Sequence, residues 1–228
     1  MTTSRIRADH LQSLGHVIVI DDDASVRRSL CTMLERAGYA VSLYDSADAF
    51  LSNPKVASPA VILLDMRMPG TTGVGLQSQL KTIARNVPVV FVSGDSRPEE
   101  IIAAMKQGAV DFLLKPFTAQ AMMDVIQRSM HMSYQALVEA DKTLQVSERL
   151  KRLTPRELEV CHWMVRGYSN QQIATLEGGA SATIKLHRAR VMDKMNADTL
   201  PELIDMLVGI DFVVPRKSAF ANDASRVE

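Results

Sequence analysis

The chain has 228 residues, enough for one large or two modest domains with real cores, and two is the better fit. Its 26 basic and 26 acidic residues cancel, in equal numbers on either side of Met132, so global charge argues for neither nucleic acid nor a membrane surface; only local clusters can. No apolar run approaches the ~20 residues that span a bilayer, and no basic leader precedes a long apolar region. Cys31 and Cys161 fall on the apolar faces of two separate predicted helices and read as buried free thiols of a reducing compartment. A soluble, cytoplasmic protein is expected.

Residues 1–15 are polar and irregular and predict a flexible tail. From His16 onward, apolar runs of strand length alternate with segments of helical period. The strands are expected at His16 to Ile20, Ala40 to Tyr44, Ala60 to Leu64, Pro88 to Ser93 and Asp111 to Leu114, and such alternation implies a doubly wound, five-stranded parallel sheet. Between them, Val26, Leu30, Met33, Leu34 and Ala37 run to Gly38, and Ile101, Ala104 and Met105 run to Gly108, each glycine standing where a left-handed cap closes a helix. A fifth helix starts near Thr118 with Met122, Ile126 and Met130 inward. Its pattern continues through Tyr134, Leu137, Ala140 and Leu144 without Gly or Pro until Pro155, which gives a linker helix that either pairs with a second copy or is simply solvated.

Beyond Lys151 the character changes to short, capped helices. Thr154-Pro155-Arg156-Glu157 is a capping box with proline in the first turn, and Gly167 closes that helix after Leu158, Cys161 and Val165. A second helix begins at Asn170 with Ile173 and Ala174, Gly178-Gly179-Ala180 forms a turn, and Ser181 is expected to cap a third helix running to Met195. Thr199 opens a fourth with Leu203, Met206, Leu207 and Ile210, and the chain past Asp211 lacks periodicity. Four short helices with a tight turn before the third predict a helix-turn-helix domain.

The chemistry concentrates at strand ends. Asp21-Asp22-Asp23 closes the first strand, Asp65 the third, Ser93 the fourth and Lys115 the fifth. In an open parallel sheet the carboxyl ends of neighbouring strands meet at one crevice. Taken alone, the aspartate run is a solvated helix cap, and Ser93 is either a turn cap or a hydroxyl at that rim. A charge on Asp65, set at the end of a buried strand, is costly without a partner, and Lys115 is of the sign to hold it ionised. Clustered carboxylate oxygens suit a hard divalent cation, which would neutralise an incoming phosphoryl group while Asp65 attacks it.

These residues resemble the bacterial two-component response regulators, with a receiver domain over residues 16–132 carried by Asp21-Asp22, Asp65 within Leu64-Asp65-Met66-Arg67-Met68-Pro69-Gly70, Ser93 and Lys115-Pro116-Phe117. The resemblance implies that Asp65 is the phosphoacceptor and that Asp22, Asp65 and the backbone carbonyl of Arg67 ligate Mg²⁺, with Asp21 acting through water. It also implies that Lys115 pairs with the acyl phosphate across a cis Lys115-Pro116 bond, and that Ser93 and Phe112 move together as the switch. Phe112 is otherwise a plain core aromatic.

Leu153-Thr154-Pro155-Arg156-Glu157-Leu158-Glu159-Val160, Ser169-Asn170-Gln171-Gln172-Ile173-Ala174 and Thr183-Ile184-Lys185-Leu186-His187-Arg188 resemble the four-helix DNA-binding domain of the NarL, LuxR and FixJ type over residues 151–210, with residues 133–150 as linker and 211–228 as a second tail. The two domains together look most like the FixJ subgroup. That resemblance makes Ser181 to Met195 the recognition helix and places Ser169, Asn170, Thr183, Lys185, His187, Arg188, Arg190 and Lys194 at DNA, although His187 is equally a packing residue. Glu177 and Gly179 stand where the family has apolar turn anchors, with Leu176 displaced by one, so a loosened second helix and weaker DNA affinity are expected.

The implied function is a DNA-binding transcription regulator, not an enzyme. A sensor histidine kinase phosphorylates it on Asp65 with Mg²⁺, and it pairs as a homodimer on promoter DNA. Two other readings compete. The C-terminal half could bind a protein partner instead of DNA. Asp21 and Asp23 also have the spacing of phosphohydrolases of the haloacid dehalogenase group, but no cap domain is evident and Asp65 would be unexplained.

Overall fold

The computed structural model describes residues 14–84, 86–94 and 96–210. Two compact units divide within one long helix, between Glu139 and Ala140. Of the two expected tails, only Leu14 and Gly15 fall among the described residues; Leu14 N–H donates to the Gly38 carbonyl and Gly15 accepts from Ala40 N–H, so these two residues are hydrogen-bonded into the fold.

The first unit is a five-stranded sheet in the order β2-β1-β3-β4-β5, in which every pairing is parallel. Its strands are β1 (His16–Ile20), β2 (Ala40–Tyr44), β3 (Ala60–Asp65), β4 (Val89–Ser93) and β5 (Asp111–Leu114), and the helices between them are α1 (Ala24–Arg36), α2 (Ala47–Ser52), α3 (Gly73–Ile83) and α4 (Pro98–Lys106). β1, β3 and β4 are buried throughout, the reason their sequences read as unbroken apolar runs. Alternation still sorts their side chains between two cores. Ile18, Ile20, Ile62, Leu64 and Phe91 pack with Phe50 and Leu76 on one face, while Val17, Val19, Val61, Leu63, Val90 and Val92 pack with Leu30, Leu34, Met122 and Ile126 on the other. Each such side chain contributes roughly 1.5–3 kcal/mol of burial. Strand order reverses at β1 and β3, which locates the crevice at their carboxyl ends.

α5 (Ala119–Leu150) is 32 residues long, about 48 Å at 1.5 Å per residue. Met122, Val125, Ile126 and Met130 are buried, and the Ser133 hydroxyl accepts from the Ala60 N–H in a buried bond of 3.0 Å. Of the expected stripe further along, Tyr134, Leu137 and Leu144 are exposed. Cys31 is half-buried rather than buried, whereas Cys161 is fully enclosed and burial pushes its thiol up to about 12.

His16 shows what burial does to a titratable group at the amino end of the sheet. Its Nδ1 accepts from the Ala57 N–H (3.1 Å), so Nε2 carries the proton and gives it to Ser42 Oγ (2.9 Å). Burial holds its pKa below the ordinary histidine value. The unfolded chain therefore binds a proton more readily between the folded pKa and about 6.5, and stability present above that window is lost as pH falls through it. His16→Gln is expected to flatten the decline of the thermal midpoint below about pH 6.5; an unchanged slope would show that other groups set it.

The second unit holds the end of α5 with α6 (Pro155–Val165), α7 (Asn170–Glu177), α8 (Ser181–Met195) and α9 (Leu200–Leu207). Val146 and Leu153 join Val160, Cys161, Met164, Ile173, Ile184, Val191, Met195 and Leu203 in one core. Thr154 with Glu157 and Ser169 with Gln172 form capping boxes, and Thr199 caps α9. The expectation for Ser181 is corrected: Ala180 occupies the N-cap of α8, without a side-chain hydrogen bond, and Ser181 is the first helical residue.

At Glu177, the first of the two positions lacking the family's apolar anchor, the structure places polar contacts instead. The Glu177 carboxylate accepts from Trp163 Nε1 (2.9 Å) and pairs with the Arg156 guanidinium, which also donates to the Glu177 carbonyl (3.1 Å). Arg156 bonds Glu159 as well (2.9 Å). A polar clasp thus anchors the C-terminus of α7 to α6 where an apolar contact was anticipated. At Gly179 an added Cβ would meet nothing within 4 Å, so the turn leaves no socket at that atom.

Candidate functional site

At the crevice, Asp21 follows β1, Asp65 ends β3 and Lys115 follows β5. The Lys115 ammonium lies 2.7 Å from Asp21 Oδ2 and 3.3 Å from Asp65 Oδ1, bridging residues 94 and 50 positions away in sequence. Each carboxylate is also held by backbone: Asp21 Oδ1 accepts from the Asp23 N–H (2.8 Å) and Asp65 Oδ2 from the Arg67 N–H (3.0 Å). Asp21 and Asp65 are 3% and 7% exposed. Asp22 is open to solvent, and Asp23 faces away to cap α1 through Ser25 and Val26.

Burial raises the Asp65 carboxyl above its ordinary value; the neighbouring Asp21 charge adds to the rise, while Lys115 and the Arg67 N–H oppose it. For Lys115 burial acts downward, but the hydrogen bond to Asp21 and the two negative charges outweigh it and raise the ammonium. The two carboxylates share the Lys115 ammonium, one paired cation for two anions.

That imbalance and the donor set fit Mg²⁺. Among the described residues no group of three or more His, Cys, Asp or Glu side chains forms a cage. Mg²⁺ does not require one, because it binds through one or two carboxylates and keeps waters and phosphate oxygens. Asp21, Asp65, the exposed Asp22 and the Arg67 carbonyl offer oxygens of that kind.

The rim is completed by residues that the sequence identified and others that it did not. The Lys115 N–H donates to the Ser93 carbonyl (2.9 Å), tying β5 to β4, and the Lys115-Pro116 peptide is cis as expected. Ser93 is buried, with its Oγ 2.8 Å from that of Ser96. Phe112 is partly buried against one of the two cores. Gly73 was not anticipated. A Cβ there would collide with the Asp65 carbonyl, so only glycine lets α3 start this close to the strand end.

On α8, Ile184, Val191 and Met195 face the core, leaving Thr183, Lys185, Leu186 and Arg190 exposed. The basic patch expected from sequence is smaller in the fold. Lys194 places its ammonium between Glu157 Oε2 (2.6 Å) and the Arg152 carbonyl (3.2 Å), and Arg188 donates to the Tyr168 carbonyl (3.0 Å) with its pKa lowered by burial. Both cations are committed to the fold. His187 is partly buried, its Nδ1 lacking a hydrogen-bond partner among the described residues. Ser169 Oγ is occupied as the cap of α7, and Asn170 is that helix's first residue.

Residues 17–127 match the response regulator receiver domain, and residues 151–207 match the bacterial regulatory proteins of the luxR family. The transcriptional regulatory protein FixJ of Bradyrhizobium diazoefficiens is 36% identical over 190 residues, covering 83% of this chain and 93% of that one. The chain belongs to the FixJ-type response regulators. FixJ of Rhizobium meliloti is 35% identical with 86% and 96% covered, and the response regulator protein TodT of Pseudomonas putida is 31% identical with 86% of each covered. Among solved structures, the response regulator StyR matches with TM-score 0.75 and 36% identity over 85% of this chain and 98% of its own. Full-length FixJ from B. japonicum matches with TM-score 0.54 and 35% identity, covering 86% and 97%. As a response regulator of this type, the chain is a transcription regulator of a two-component system, with a receiver and a LuxR-type helix-turn-helix domain. No helix among the described residues is long and apolar enough to cross a membrane.

Proposed function

We propose that a sensor histidine kinase transfers a phosphoryl group to Asp65, and that the phosphorylated chain pairs and binds promoter DNA. The observation that carries this reading is the Lys115 ammonium bridging Asp21 and Asp65 at the point where strand order reverses. An Asp65 oxygen attacks phosphorus as the P–N bond of the kinase phosphohistidine breaks, and Lys115 compensates the negative charge of the transferred group. Asp22, Asp65 and the Arg67 carbonyl would hold Mg²⁺, with Asp21 acting through water, and the ion would supply neutralisation of the phosphoryl oxygens. Ser93 turns toward that group, and Phe112 follows on the neighbouring strand. The protein acts as a cytoplasmic regulator and not as an enzyme, with a receiver over residues 16–132, a linker over 133–150 and a DNA-binding domain over 151–210.

Exposed apolar side chains support pairing through the receiver: Ile102 and Met105 on α4 and Leu114 at the end of β5. The exposed Asp111–Arg128 ion pair (2.8 Å), from β5 to α5, lies on the elements beside them. A wild-type chain given Mg²⁺ and beryllofluoride is expected to run as a dimer on a sizing column, and a chain that stays monomeric would sink the proposal.

The exposure of Lys185 and Arg190 on α8 supports contacts to DNA from that helix. Lys185→Ala and Arg190→Ala should weaken DNA binding, each reducing the slope of log affinity against log salt by about 0.9 if it removes one phosphate contact. Lys194→Ala should instead lower the thermal midpoint, because it leaves the buried Glu157 carboxylate unpaired. Failure of the full chain to shift any DNA at low salt, with phosphorylation intact, would transfer the C-terminal unit to a protein partner.

A further inference from the structure

Ser93 is 2% exposed, and its only described polar neighbour through the hydroxyl is Ser96, at 2.8 Å between the two Oγ atoms. Ser96 Oγ is also 3.1 Å from Met66 Sδ. A hydroxyl has one proton to give, so Ser96 serves one of these partners as donor and can serve Ser93 as acceptor. In either arrangement the Ser93 hydroxyl is engaged by the β4–α4 connection. Met66 is the residue directly after Asp65 and is itself buried, which fixes the far end of the chain of contacts. The next residue, Arg67, reaches Glu100 in the first turn of α4 (3.4 Å), so the loop after β3 meets the start of α4 at a second point.

We infer that Ser96 is a positioning residue of the switch: its hydroxyl holds Ser93 in the unphosphorylated arrangement, and Ser93 must leave it before donating to a phosphoryl oxygen on Asp65. This rests on the reading of Asp65 and Ser93 given above. The contact sits between the site and α4, the helix that carries Ile102 and Met105, so its release couples the site to the pairing surface. An exposed turn cap would have no such effect, because water would replace the lost partner. Ser93 is almost fully buried, so a lost partner there is poorly replaced by water.

The test titrates the full-length chain with beryllofluoride at fixed Mg²⁺ and follows the dimer fraction by sedimentation. Ser96→Ala should lower the concentration giving half-dimerisation by roughly three- to tenfold, the factor that one neutral hydrogen bond is worth. Ser96→Thr, which keeps the hydroxyl, should behave as wild type. In a Ser93→Ala background Ser96→Ala should change nothing further, since Ser96 acts through Ser93. A merely structural Ser96 would lower the thermal midpoint and leave the beryllofluoride dependence at its wild-type position, which overturns the inference; so would an equal fall in the Ser93→Ala background. A wild-type chain that never dimerises shows itself before any Ser96 variant is made, and it overturns the Asp65 reading together with this one.

Discussion

Asp65→Asn is expected to remain monomeric on a sizing column under Mg²⁺ and beryllofluoride that should convert the wild type to dimer, and to take up no label above background from a phosphorylated kinase. The amide is nearly isosteric with the carboxylate, so the strand end and the Arg67 N–H contact have an oxygen to keep. What disappears is the nucleophilic charge and one of the two anions that hold Lys115. Loss of fold does not account for this result. Burial raises the Asp65 carboxyl, so its ionised form opposes folding at pH values above the ordinary carboxylate range, and the neutral amide relieves that cost. The thermal midpoint of the receiver is therefore expected to hold or rise. Dimerisation of Asp65→Asn equal to wild type would remove Asp65 from the switch.

Glu177→Ala has the second large effect, in the other unit. Truncation leaves the Trp163 N–H and part of the Arg156 fork without their acceptor, and Glu177 itself has a side chain only 9% exposed. Breaking a buried pair from one side costs about 3–5 kcal/mol, and the low end applies because Arg156 keeps Glu159 and is itself partly exposed. In a domain of this size about 3 kcal/mol lowers the thermal midpoint by roughly 12 °C or more. Glu177→Leu alone should recover little, since the guanidinium still faces an apolar group. Arg156→Met with Glu177→Leu should recover only part of the loss, because the apolar pair removes the unpaired guanidinium but leaves the Trp163 N–H without its Glu177 acceptor and the buried Glu159 carboxylate without Arg156. A Glu177→Ala chain with an unchanged midpoint would show the clasp to be incidental, and the weaker α7 expected from sequence would return.

The strands were legible because β1, β3 and β4 are buried on both faces, so their apolar runs needed no knowledge of neighbours. Expected and observed ends differ by a single residue at β3 and β4. Helix ends were legible for a local reason too. Thr154, Ser169 and Thr199 bond to N–H groups a few residues away, and Gly38, Gly108 and Gly167 adopt positive φ where their helices finish. Ser181 was misplaced by one position because its type is right for a cap while the backbone turn assigns that place to Ala180.

Charged side chains behaved differently. Lys185 and Lys194 lie on one helix and read alike in sequence, yet one is exposed and the other closes on Glu157 from 37 residues away. Glu177 read as a defect because its partners Arg156 and Trp163 lie on the preceding helix, and only packing brings them within 3 Å or so of it. Ser96 and Gly73 carried no signal at all. Their significance lies in proximity to Ser93, Met66 and the Asp65 carbonyl across the end of the sheet.

By itself, then, the sequence determined the doubly wound receiver, the capped helical unit and the identity of the strand-end residues, because burial period and capping act over a few residues and leave a pattern in order of the chain. Tertiary structure alone decided which cations remain exposed on α8, what anchors α7 and what engages the Ser93 hydroxyl. Those outcomes depend on ion pairs and hydrogen bonds of about 3 Å between distant residues, and such contacts are specified only when the packed elements bring both partners together.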